Sequence, residues 1–155
     1  MNALKPDTLI HNPEGRRVIA AVEIPAAAMS VWGTVGNFAG FATFIPALSH
    51  TEMTGSGPGS VRKKFFKDGN VVIEQLNSRD DIRYCMTWNT IHTTLPVGNL
   101  WASMEVQELG ADACRAVWTI IAEPVLANAQ DMPGFEAFLQ GFADHAMANV
   151  RNLFA

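Results

Sequence analysis

The chain has 155 residues, 48% of them hydrophobic and 17% charged, with a net charge of −4 from 11 basic and 15 acidic side chains. That length reads as one domain, 1–155 with 1–15 as a loose leader, and a charged fraction below the roughly 25% of typical soluble chains leaves apolar side chains to line a cavity. The only basic cluster, Arg62, Lys63, Lys64 and Lys67, is too short and isolated for a nucleic-acid footprint, which excludes nucleic acid as a partner.

The leader is interrupted by Lys5, Pro6, Asp7, His11, Asn12 and Pro13, so it has no apolar core of signal-peptide length. No run of about 18 apolar residues follows, and the expectation is a cytoplasmic protein without a membrane span. RRVIAAVEI, Arg16 to Ile24, is apolar on both faces of a β pattern and reads as the first strand, ended by Pro25. Ala27 to Val35 then reads as a short helix stopped by Gly36-Asn37, and Phe38 to Ile45 as a second one broken by Pro46.

From Leu48 the pattern becomes short β segments: SHTEMT, SVRKKFF, VVIEQLN, IRYCMTWNT, NLWASMEVQEL and CRAVWTIIA. They are divided by GSGPG, KDGN, SRDD, TTLPVG and GAD, of which Asp68-Gly69 is a hairpin turn and GSGPG a turn rather than a phosphate loop, since it leads into a strand. Cys85 and Cys114 fall in separate strands without metal or redox spacing and are expected as buried thiols. The last segment, Pro133 to Phe154, repeats Phe135, Phe138, Leu139, Phe142, Ala146, Val150 and Leu153 at three-to-four spacing, which makes one long amphipathic helix. The class is α+β: a seven-stranded antiparallel sheet, two short helices after its first strand, and a closing helix.

Parity assigns the sheet's inner face. Glu74 lies with Val72 and Leu76; Ile82, Tyr84, Met86 and Trp88 share a face, as do Leu100, Ala102, Met104 and Val106, while Trp101 packs outside. Glu74 on such an apolar wall is either one half of an ion pair with Arg62 of the neighbouring strand or a carboxyl with a raised pKa fit for acid/base work. Arg62 has Lys63 and Lys64 on either parity, so its facing stays open. On the closing helix His145 and Asn149 are spaced i, i+4 beside Phe138 and Phe142. His50 with Glu52 shares a strand face, and His92 lies in a loop. The four histidines have no ligand spacing, so no metal is expected.

The ordered run VWGTVGNF, FIPAL, GSGPGSVR, VVIEQLNSRDD, LPVGNLWASMEV, AVWTIIAEP and the final helix ending in NVRNL resembles the START-like, or SRPBCC, superfamily over about Arg16 to Leu153. The nearest branch by motif is the polyketide cyclase/dehydrase and lipid-transport group. The resemblance implies a helix-grip fold, in which the sheet curls around the last helix and leaves a hydrophobic cavity. It matches Glu74 to an acid inside that cavity and Arg62 to the Arg of a GxVR motif, and it sets His145, Asn149, Phe138 and Phe142 at the cavity's border. Leu100 stands where the family's pattern has Tyr, which removes a ligand-anchoring hydroxyl.

Two functions follow from that resemblance, and fold alone does not choose between them. One is a cofactor-independent cyclase, dehydratase or lyase acting on a hydrophobic small molecule. Glu74 and His145 would be its catalytic acid and base, and Arg62 and Asn149 would polarise a carbonyl. Tyr84, Met86, Trp88, Leu100, Ala102, Met104, Phe138 and Phe142 would hold the substrate. The other is a non-catalytic carrier or sensor for a lipid or similar ligand. Neither calls for a cofactor, and both allow a homodimer.

Overall fold

The computed structural model describes residues 15–125 and 130–155, so the expected leader lies almost wholly outside the described residues. Seven strands follow in chain order: β1 (Arg16–Ile24), β2 (Leu48–Thr54), β3 (Val61–Phe66), β4 (Val71–Asp80), β5 (Cys85–Thr93), β6 (Val97–Gly110) and β7 (Ala113–Pro124). They pair antiparallel in the order β1-β7-β6-β5-β4-β3-β2, with consecutive hairpins from β2 to β7 and β1 returning beside β7. Helix α1 (Ala28–Val35) and a single 3-10 turn at Phe41–Thr43 lie between β1 and β2, and α2 (Met132–Leu153) closes the chain. This is the expected α+β helix-grip architecture.

Local chemistry explains the elements. Helix α1 buries Ala28, Val31, Trp32 and Val35, one face at three-to-four spacing, and ends at Gly36, where a Cβ would lie 2.5 Å from the Trp32 ring. The β2–β3 turn uses Gly55, Gly57 and Gly59, all at positive φ, so GSGPG is a turn as read. Helix α2 is capped by Asp131, whose side chain accepts a hydrogen bond from the Gly134 N–H at 3.0 Å, and Pro133 occupies its first turn. Its buried side, Phe135, Leu139, Ala143, Ala146, Met147 and Val150, packs over β1 and β7.

Two segments differ from the sequence reading. The second short helix shrinks to the 3-10 turn because Gly40 and Pro46 leave too little chain between them, and Phe41, Phe44 and Ile45 all enter the core instead. The SRDD turn falls later than read, since β4 continues to Asp80. There the Asp80 carboxylate accepts the backbone N–H groups of Ile82 and Arg83, both at 3.0 Å. Ile82 is therefore 91% exposed at the tip, and Tyr84 takes a positive φ of 55° and packs against Trp32 at 5.8 Å. Ile82 thus leaves the inner face, while Tyr84, in the turn, stays half-buried against the core.

Helix α2 is pinned at two heights. Gln140 Nε2 donates to the Ile19 carbonyl at 2.9 Å on the edge strand, and Asn149 Nδ2 donates to the Phe44 carbonyl at 3.2 Å beside the 3-10 turn. Asn149 is thus a structural tie. Replacing it (Asn149→Ala) should cost about 1–3 kcal/mol in denaturant unfolding by leaving that carbonyl unpaired, with no change in the affinity for a pocket ligand.

Candidate functional site

Between the inner face of the sheet and α2 lies a cavity of about 60 Å³. Its walls come from β3 (Lys64, Phe66), β4 (Val72, Glu74), β5 (Trp88, Thr90, Thr93), β6 (Val97, Leu100, Ala102), β7 (Trp118, Ile120) and α2 (Phe138, Leu139, Phe142), with Leu95 from the β5–β6 connection. Strand parity accounts for most of the strand residues, an irregularity in β6 between Val97 and Leu100 for Val97, and a β-bulge in β5 for Thr93. Glu74 pairs with Thr90 but Ile73 with His92, so Ile91 is an extra residue, and beyond it Thr93 is turned to the inner face beside Thr90. Phe138 is 49% exposed and marks the mouth.

One wall carries charge. Arg62, Lys64 and Glu74 are all buried, at 0%, 5% and 3% exposure. Arg62 and Glu74 are cross-strand partners, and Lys64 sits two residues along the same face, so both cations converge on one carboxylate. Glu74 Oε1 accepts from Arg62 Nε at 2.9 Å and lies 2.9 Å from Lys64 Nζ. Arg62 Nη2 is 2.8 Å from the same oxygen, an ion-pair contact without hydrogen-bond alignment. Arg62 Nη1 donates to the Phe38 carbonyl at 2.8 Å, and its guanidinium lies 3.8 Å from the Phe38 ring centre and 4.0 Å from that of Phe41.

Burial pushes the Glu74 carboxyl up, but Lys64 and Arg62 outweigh it and hold the group below its ordinary value. Glu74 is therefore a paired anion, not the proton-carrying carboxyl that a raised pKa would make. Burial likewise draws the Lys64 ammonium and the Arg62 guanidinium below their ordinary values, with Glu74 opposing it.

Of the residues read as candidates, Glu74, Trp88, Leu100, Ala102, Phe138 and Phe142 line the cavity. Met86 and Met104 face inward yet are fully buried in the core, and Arg62 lies behind Glu74 without reaching the cavity wall. Tyr84, in the turn, and Asn149, bonded to Phe44, are outside it. His145 is exposed. It shares a flank of α2 with Phe138 but is not part of the cavity wall. His50 stacks on Phe65 at 4.5 Å on the outer face, and His92 is exposed. Cys114 is a buried thiol; Cys85 is half-buried. The missed wall residues that carry polar atoms are Lys64, Thr90, Thr93 and Trp118, and for Lys64 the signal was available: it shares parity with Arg62 and Phe66 opposite Glu74 and Val72.

A larger hollow of about 450 Å³ opens on the far side of Phe38, lined by Trp32, Met53, Leu76, Arg79 and Asp81. Its charged groups are engaged: Asp81 Oδ1 accepts from Trp32 Nε1 and Arg79 Nε, both at 2.9 Å, and Arg79 also donates to the Gly36 carbonyl. The enclosed cavity is the better candidate because its polar atoms are not all matched. Among the described residues no group of three His, Cys, Asp or Glu gathers as a metal site, and no helix is long and apolar enough to cross a membrane.

A family model described as polyketide cyclase / dehydrase and lipid transport matches residues 16–155. Solved structures share the fold at low identity. An uncharacterized protein from Bacillus thuringiensis superposes with a TM-score of 0.80 at 21% identity, covering 90% of this chain and 98% of that one. A START superfamily protein from Mycobacterium smegmatis gives 0.79 at 13%, covering 90% and 97%. The Zhui aromatase/cyclase from Streptomyces sp. R1128 gives 0.72 at 18%, covering 88% and 89%. No curated protein matches the sequence.

The charge cluster sets the acid limb of stability. Because the folded Glu74 carboxyl lies below its unfolded value, its contribution is complete above the ordinary carboxylate range and is lost as pH falls through the folded value. Glu74→Gln should lower stability by about 3–5 kcal/mol at neutral pH, stranding two buried cations, and should flatten the acid limb of a melting-temperature profile. Lys64→Met should be neutral or stabilising, since Arg62 still pairs Glu74.

Proposed function

The chain belongs to the polyketide cyclase/dehydrase and lipid transport family, and on that premise we propose that its internal cavity binds a hydrophobic small molecule, which the protein carries or senses without transforming it. The carrying observation is the state of the ionisable groups. Among the described residues, the two that line the cavity are Lys64 and Glu74, and each is engaged by the other at 2.9 Å. General acid/base catalysis needs a group near its working pKa within reach of the substrate. Glu74 is held ionised between two cations, and His145 faces solvent. A carrier or sensor asks for less: apolar walls and an anchoring contact.

Size also bears on the ligand. The cavity holds about 60 Å³, against roughly 300–1,000 Å³ for pockets that enclose drug-sized ligands. A polyketide-length substrate would have to displace the interior aromatics. A short ligand enters with its far end at the mouth, where Phe138 and Phe142 are not fully covered. An aromatase/cyclase or dehydratase activity is the second reading, favoured by the buried Lys64 ammonium, whose lowered pKa brings it closer to proton transfer.

Native mass spectrometry of the purified protein should reveal a co-purified apolar ligand, and a neutral fluorescent probe such as N-phenyl-1-naphthylamine should bind in competition with it. Ala102 is fully buried in the cavity wall, and Ala102→Phe fills the space from the sheet side. The variant should lose at least tenfold in probe affinity while keeping its circular dichroism spectrum. Unchanged affinity in a folded variant would place the ligand elsewhere and overturn the reading.

A further inference from the structure

The cavity wall carries hydrogen-bond donors without a matching acceptor. Lys64 Nζ carries three N–H groups, and Glu74 Oε1 at 2.9 Å is its only acceptor among the described residues. Trp118 lines the same cavity at 3% exposure, and its Nε1–H is buried with no partner; the Thr90 hydroxyl, also in the wall, is buried and unpaired too. An indole N–H can only donate, and a buried donor left unmatched costs about 1–3 kcal/mol. The charge is unbalanced in the same sense. Arg62 and Lys64 are two cations against one carboxylate, and no second carboxylate is buried among the described residues. Everything else in the wall is apolar apart from Thr93.

We infer that the cavity recognises the carboxylate head of a short hydrophobic acid, received by Lys64 Nζ with Trp118 Nε1 and the Thr90 hydroxyl, while the apolar tail leaves between Phe66, Leu95 and Phe138. The inference rests on the reading of the cavity as a ligand pocket and adds the ligand's chemistry to it. A carboxylate supplies acceptors to two unpartnered groups and to the unmatched N–H groups of Lys64, and it neutralises the surplus positive charge, which a neutral lipid or hydrocarbon cannot do. Its size suits the small cavity, and a tail at the half-exposed mouth needs no rearrangement of the interior.

The test is isothermal titration calorimetry of the full chain with octanoate and with octan-1-ol, which share a tail and differ in the head. Octanoate should bind at least tenfold more tightly, Lys64→Met should abolish that preference, and Trp118→Phe should weaken octanoate more than octan-1-ol. Circular dichroism of both variants establishes that they fold, and Lys64→Gln serves as the second removal of charge. Equal binding of the two probes, or a preference that survives loss of Lys64, would overturn the carboxylate assignment and leave the pocket standing. If neither probe binds and Ala102→Phe leaves the neutral fluorescent probe unaffected, the pocket itself is refuted and the assignment falls with it.

Discussion

The contact on which this molecule depends is the buried meeting of Arg62 and Lys64 with Glu74. Three charges have been withdrawn from water, each at a cost of several kcal/mol, and their mutual attraction offsets that only because the geometry is close and the remaining donors find acceptors. Arg62 meets the condition with two of its three guanidinium nitrogens, Nη2 touching Glu74 without hydrogen-bond alignment. It faces Glu74 with Nε and Nη2, gives Nη1 to the Phe38 carbonyl, and lies against the rings of Phe38, Phe41 and Trp88. Since Phe38 and Phe41 belong to the stretch between α1 and β2, the guanidinium ties that stretch to the middle of the sheet. Lys64, which lines the cavity, meets it with a single acceptor for three N–H groups.

Aromatic packing decides how much space remains. The composition left apolar side chains to spare, yet most of them fill the interior rather than line a void. Trp88 and Trp118 stand 6.3 Å apart, Phe41 meets both at 5.6 and 6.0 Å, and Phe142 closes on Trp118 at 5.8 Å. Such tilted and edge-on contacts add roughly 0.5–1.5 kcal/mol each beyond the area they bury, so enlarging the cavity by parting them is costly. Displacing Phe138, already half in solvent, is not.

Sequence reasoning reached the strands, the closing helix and the inner-face register because period-two alternation and turn residues are local signals. It could not rotate α2 about its own axis. Phe138, Phe142, His145 and Asn149 do lie along one flank, but only packing against β1 and β7 decides that the phenylalanines border the cavity, Asn149 reaches the Phe44 carbonyl and His145 meets water. Nor could it see the bulge at Ile91, which turns Thr93 inward, or the Asp80 turn that sends Ile82 into solvent. Parity pointed Lys64 inward, but a lysine in a strand is ordinarily solvated, and only the buried carboxylate across the sheet makes that facing tolerable.

Glu74 shows how one residue separates the two functional readings. A carboxyl alone on an apolar wall would keep its proton and could hand it to a substrate. With two cations within 2.9 Å it is ionised, its charge is spent on them, and protonating it would break the contact that holds the wall together. Removing a proton from a substrate would be unfavourable for the same reason, because the anion is a weak base where it stands. The same arrangement leaves Lys64 with unmatched N–H groups turned to a compartment poor in acceptors. The two ionisable groups of the wall are thus engaged with each other before any ligand enters.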